Sequence, residues 1–138
     1  MTENQALLIY DVDENIWEVV QNYYDNLVKV MIPVGYKTNL ASVPRIFWVF
    51  VAPYELSENA PLVHDYLYDH AGISTPIYNP DGTKNSDVTI TKYQADKYFR
   101  QIMKLKGVGI IKRNIAFWAV KLFAGSAWKS CEDKNVKK

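Results

Sequence analysis

Apolar and polar positions alternate along the first third of the chain and then adopt a helical period. Residues 5–11 (QALLIYD) read as a short strand, and Asp13-Glu14-Asn15 as a polar turn. Ile16 to Tyr24 is rich in β-formers. After the turn signal Asp25-Asn26, the stretch to Ile32 sets Leu27, Lys29 and Met31 against Val28, Val30 and Ile32. That pattern predicts a β-hairpin, ended by Pro33 and Gly35. Gly35 to Arg45 is irregular and rich in turn formers. Ile46 to Val51 (IFWVFV) is an apolar run that fits a buried strand or a short helix equally.

From there the period is helical. Ser57 is a candidate N-cap, and Pro61 falls in the first turn, where its missing N–H does little harm. This helix should run to about His70, with Gly72 as its stop. Residues 74–90 hold Pro76, Pro80 and Asp81-Gly82, and predict a loop that can close as a small hairpin. Thr91 and Gln94 form a capping box. The helix it opens should reach Lys106 and stop at Gly107, with Ala95, Phe99, Ile102 and Met103 as its apolar stripe and Asp96 on the border. A third helix is expected from Ile110 to Phe123 or beyond. The expectation is an α+β fold: an N-terminal β-ribbon followed by three helices, the first two an antiparallel pair. Residues 1–130 read as a single domain and residues 131–138 as a flexible tail.

Composition narrows the classes. With 49% apolar and 22% charged residues among 138, the chain is globular. Residues 1–100 carry seven Lys/Arg and thirteen Asp/Glu, whereas residues 101–138 carry nine and two. The acidic part is thus −6 and the basic part +7. The basic segment either meets phosphates, lipid headgroups or an acidic partner, or neutralises the rest of the molecule. A single cysteine, Cys131, excludes an intramolecular disulfide and a Cys-based zinc site. No signal-like segment opens the chain. No stretch has the length of a membrane span, since Ile110 to Trp128 is interrupted by Lys112, Arg113 and Lys121.

The chemistry concentrates in His64-Asp65-Tyr66-Leu67-Tyr68 and, 32 positions after His64, in Asp96. On a helix His64 and Tyr68 share a face, with Asp65 on the flank. A carboxylate at the border of an apolar stripe requires a partner, and Asp96 can find one in His64 or the Tyr68 hydroxyl. Such a set can run a hydrolysis, with His64 taking a proton from water, Asp96 orienting the imidazole and Asp65 holding a cation. It can equally be a buried polar network that only fixes helix packing. A calcium ion at Asp65 needs about six oxygens. The 35–42 segment is the candidate donor, with Gly35 giving backbone freedom. His70, at the helix end, suits the dipole there. Ser42 lacks a nucleophile-elbow context. The aromatics Phe117 and Trp118 read as core rather than a base-stacking surface, so nucleic acid is not expected as a partner.

Four blocks carry a resemblance: Gly35-Tyr36-Lys37-Thr38-Asn39-Leu40-Ala41-Ser42-Val43-Pro44-Arg45, His64-Asp65-Tyr66-Leu67-Tyr68, Ala95-Asp96-x-x-Phe99, and Phe117-x-Ala119-Val120-Lys121-x-Phe123 with Ala127-Trp128. In this order they resemble a family of small phage and prophage proteins of unknown function. That family's first block usually has Asp where this chain has Asn39. The H-D-x-x-Y and A-D-x-x-F pair also resembles, more distantly, the phospholipase A(2) superfamily of parvovirus capsid and prokaryotic type. That second resemblance implies His64 as general base, Asp65 as calcium ligand, Asp96 as orienting carboxylate and Tyr68 as its hydrogen-bond partner. The Gly-x-Gly calcium loop of those enzymes has no counterpart beyond Gly35.

Together these imply a phage-encoded accessory or virion- or tail-associated protein. It would be made in the host cytoplasm, possess no membrane span, and act with other phage proteins or host envelope lipid. The alternative is a calcium-dependent ester hydrolase acting on lipid or cell envelope. A third class is a small binder that engages a host protein through its basic helix.

Overall fold

The computed structural model describes residues 6–38 and 59–136. Ser57, Asn39, Ser42 and the run Ile46 to Val51 lie outside the described residues. The order of elements is β1 (Leu8–Asp11), β2 (Ile16–Val19), β3 (Tyr23–Tyr24), β4 (Met31–Ile32), β5 (Lys37–Thr38), α1 (Asn59–Asp69), β6 (Ser74–Tyr78), β7 (Lys84–Thr89), α2 (Lys92–Leu105), α3 (Ile110–Phe123) and α4 (Gly125–Val136). The fold is α+β, with small N-terminal sheets followed by helices.

The N-terminal ribbon divides differently from its hydropathy pattern. β2 pairs with β1, placing Tyr10 opposite Trp17, and also with β5, placing Trp17 opposite Thr38. The β1–β2 turn closes because Asp11 Oδ1 accepts from the amides of Asp13 and Glu14, while Asn15 takes a left-handed φ of 56°. The stretch expected to pair with all of 16–24 reaches only β3, as Tyr23 opposite Ile32 and Tyr24 opposite Met31. Asn22 intervenes, its side chain accepting from the Val34 amide, and splits the expected strand in two. The alternation itself holds: Val28, Val30 and Ile32 are buried, while Leu27 and Lys29 are exposed.

β6 and β7 form an antiparallel hairpin closed at Asp81-Gly82, where Gly82 has a φ of 92° and Asp81 accepts from the Thr83 amide. The capping box opens α2 as expected. Thr91 Oγ1 accepts from the Gln94 amide at 3.2 Å and Gln94 Oε1 from the Thr91 amide at 2.9 Å. The core runs without a break from the strands through α1 and α2 to α3, and Leu62, Leu67, Phe99 and Met103 are among its fully buried side chains.

The C-terminal segment differs from expectation. Residues 131–136 continue α4 rather than forming a flexible tail. The reason is a contact that hydropathy does not register. The Asn135 amide donates to the carbonyls of Asp69 at 2.8 Å and Ala71 at 2.9 Å, pairing carbonyls that the end of α1 leaves open. Glu132 lies against Gly72, where a Cβ would meet Glu132 Cγ at 2.9 Å. Gly72 therefore serves both as the left-handed stop of α1, with a φ of 81°, and as the seat of α4.

Candidate functional site

α1 and α2 pack together and bring their motifs into contact. His64 and Tyr68 leave α1 one turn apart, and Asp96 comes from the first part of α2. His64 Nε2 lies 2.7 Å from Asp96 Oδ1, and the Tyr68 hydroxyl donates to the same oxygen at 2.8 Å. His64 and Asp96 are each 1% exposed. The second carboxylate oxygen, Oδ2, accepts from Lys92 Nζ at 2.8 Å, one turn earlier on α2. Lys92 also donates to the carbonyls of Val120 at 3.0 Å and Lys121 at 3.3 Å in the last turn of α3. Side chains of α1 and α2 thus converge on one carboxylate, and α3 holds the lysine that pairs with it. The imidazole is flanked by the rings of Tyr68, at 4.3 Å between centroids, and Phe99, at 4.8 Å. Trp128 of α4 packs edge-on against Tyr68 at 5.0 Å.

The electrostatics follow from this geometry. Burial pushes the Asp96 carboxyl upward, but hydrogen bonding and charge from His64, with the bonds from Lys92 and Tyr68, outweigh it and hold Asp96 below the usual carboxylate range. Burial and the neighbouring Asp96 push the Tyr68 phenol far above its ordinary value, so it remains a donor. An ionised Asp96 can only accept, so His64 donates from Nε2, and in the neutral imidazole the lone pair then lies on Nδ1. Nδ1 is buried and, among the described residues, has no hydrogen-bond partner. A polar atom in that position is uncommon, because most buried polar atoms are paired.

Asp65 points elsewhere. It is half-buried, and the Thr38 hydroxyl of β5 donates to it. One turn on, the Tyr36 hydroxyl donates to Asp69. These two bonds tie the end of the N-terminal sheet to α1. Gly35 lies in the exposed turn before β5 with a φ of 91°, and its amide donates to the Val19 carbonyl at 2.7 Å. No group of three or more His, Cys, Asp or Glu side chains converges among the described residues. Asp65 takes a bond from the Thr38 hydroxyl, and residues 39–42, the rest of the expected donor segment, lie outside the described residues.

Residues 17–120 match the family described as Protein of unknown function (DUF1353). The chain belongs to that family. The DUF1353 match runs from within β2 into α3 and includes His64, Tyr68, Lys92, Asp96 and Phe99, but not Lys121 or Trp128. No curated protein and no solved structure matches the chain.

Sequence reasoning had named His64, Tyr68, Asp96, Asp65 and Gly35. The structure brings the first three into one cluster and sets Asp65 and Gly35 apart from it. Lys92 was missed, although its position four residues before Asp96 on one helix face is a legible ion-pair spacing. Phe99 had been read as core, and it is also the wall of the imidazole. Nothing local to Thr38 points to Asp65, because the contact joins residues 27 positions apart. His70 sits at the end of α1 with Nδ1 at 2.9 Å from the Tyr66 carbonyl, in keeping with the role expected there.

Proposed function

We propose that this DUF1353 protein is a small phage-encoded hydrolase that attacks ester bonds with water activated by His64. The observation that carries this reading is the unpartnered Nδ1 of a histidine whose other nitrogen is fixed by Asp96. In the proposed step a water bound at Nδ1 gives its proton to the imidazole as its oxygen adds to the ester carbonyl carbon. The imidazolium is stabilised by Asp96, which Tyr68 and Lys92 hold ionised and in place. The Nδ1 proton then passes to the departing alkoxide, leaving an acid and an alcohol. The distant resemblance to phospholipases supports a lipid ester as substrate and calcium at Asp65 as an accessory. The test is fatty-acid release from phospholipid vesicles, with and without calcium, by wild type, His64→Asn and Asp65→Asn. Release that His64→Asn abolishes supports the proposal, and loss of calcium dependence in Asp65→Asn adds the metal to it. Equal release by wild type and His64→Asn refutes it.

A second reading is favoured by the near-complete burial of both His64 and Asp96 side chains. It takes the cluster as a packing network within an accessory or virion-associated protein. Under that reading His64→Ala unpairs the buried Asp96 and costs about 1–3 kcal/mol of stability. A His64→Ala protein as stable as wild type would refute it.

A further inference from the structure

α3 is apolar on two opposite sides. Its inner side, Ala116, Phe117, Ala119 and Val120, is buried in the core. Its outer side carries Ile111, Trp118 and Leu122, which are 73%, 49% and 64% exposed. These lie at i, i+7 and i+11, with half-buried Ile115 between them, so they form one continuous stripe. Ile111, Ile115, Trp118, Leu122 and Phe123 line an open groove of about 460 Å³ on this side. Single exposed apolar side chains need no explanation, but a contiguous stripe along a whole helix does.

The charges around the stripe identify what covers it. α3 bears Lys112, Arg113 and Lys121 and no acidic residue. By helical period Lys121 falls on one border of the stripe and Lys112 on the other. Lys121 is exposed, with Nζ 4.7 Å from the centroid of the Trp118 ring. Around α3, residues 101–136 carry seven Lys/Arg against two acids. A second copy laid on this face would bring cations against cations with no acid on the helix to offset them. An apolar stripe centred on Trp and bordered by Lys matches instead the interface of an anionic bilayer.

We propose that the outer face of α3 docks on an anionic lipid surface. Ile111, Trp118 and Leu122 enter the boundary between headgroups and acyl chains, and Lys121 meets the lipid phosphates. No helix of the described residues is long and apolar enough to cross a membrane, so the contact is a surface one. α3 is also the helix whose last-turn carbonyls hold Lys92, so the docked face belongs to the element adjoining the Asp96 cluster. The docking does not depend on hydrolysis, and ether-linked lipids, which carry no ester, keep the two proposals separate.

The test is co-sedimentation of the full chain with vesicles of ether-linked phosphatidylcholine, with and without phosphatidylglycerol. Wild type should pellet with the anionic vesicles, less with phosphatidylcholine alone, and less again at high salt. Leu122→Asp and Ile111→Asp should each bind about tenfold more weakly or worse while remaining folded, since both side chains face outward. Brominated acyl chains should quench part of the wild-type tryptophan emission, and Trp118→Phe should remove that part. Absence of binding, binding unchanged in both Asp variants, or absence of quenching would overturn the proposal. So would a dimer in solution that the Asp variants disperse, because it would assign the face to a second copy.

Discussion

Replacing Asp96 by asparagine keeps the shape of the side chain and removes its charge. Three donors end on this carboxylate: His64 Nε2 at 2.7 Å, the Tyr68 hydroxyl at 2.8 Å and Lys92 Nζ at 2.8 Å. The amide oxygen of Asp96→Asn can still accept from His64 or Tyr68. Its NH2 then faces the Lys92 ammonium, donor against donor. Breaking a fully buried ion pair costs roughly 3–5 kcal/mol. Lys92 is 22% exposed and keeps the Val120 and Lys121 carbonyls, which lowers the expected loss. The expectation is about 2–3 kcal/mol at neutral pH. The pH dependence carries a sign. Asp96 is held below the usual range in the folded state, so its contribution is fully present above the unfolded carboxyl pKa of about 3.9. It is lost as pH falls through the lower folded value. Asp25 acts in the opposite sense, because burial outweighs its hydrogen bonds and raises its carboxyl, but it is common to both proteins and cancels in the difference. The assay is urea unfolding of wild type and Asp96→Asn at about pH 7 and at about pH 3. A gap of a few kcal/mol that narrows in acid is expected. A gap below about 0.5 kcal/mol at pH 7, or one that does not change with pH, would refute the reasoning.

Other consequences are simpler. Lys92→Met retains the aliphatic stem but removes the ammonium from Asp96 and from the end of α3, and should cost about 1–3 kcal/mol while moving acid unfolding to higher pH; an unchanged acid midpoint would count against Lys92 as a partner of Asp96. Gly72→Ala should destabilise by more than about 1 kcal/mol, because the backbone is left-handed there and the new Cβ would meet Glu132; thermal unfolding reads this directly. Asn135→Ala should cost about 1 kcal/mol and raise amide exchange in α4 first, because it removes the bonds to Asp69 and Ala71; wild-type exchange in α4 would show that the contact does not hold the helix.

Much of the fold was legible where the signal is local. The Thr91–Gln94 capping box, the stop at Gly107 and the stripe Ala95, Phe99, Ile102, Met103 specified α2 almost to its ends. The buried alternation of Val28, Val30 and Ile32 was also legible, but their pairing was not, because period 2 fixes which face is buried and not which strand lies alongside. α4 was missed over residues 131–136 because its polar surface has no apolar period and its contacts with the end of α1, the Asn135 bonds and Glu132 against Gly72, are tertiary. At the site, the spacing of His64 and Tyr68 and the position of Asp96 beside an apolar stripe were enough to predict their meeting. The reach of Thr38 to Asp65, and of Lys92 to the end of α3, depends on tertiary placement that no local pattern encodes.

Asp96 fixes the His64 ring with its proton on Nε2, and among the described residues Nδ1 has no partner. Nitrogen-15 NMR of histidine-labelled protein tests it most directly, since the chain has two histidines and His70→Gln assigns the signals. His64 is expected as the Nε2–H tautomer, and Asp96→Asn should shift its ring resonances. A His64 found as the Nδ1–H tautomer, or one unaffected by Asp96→Asn, would contradict it.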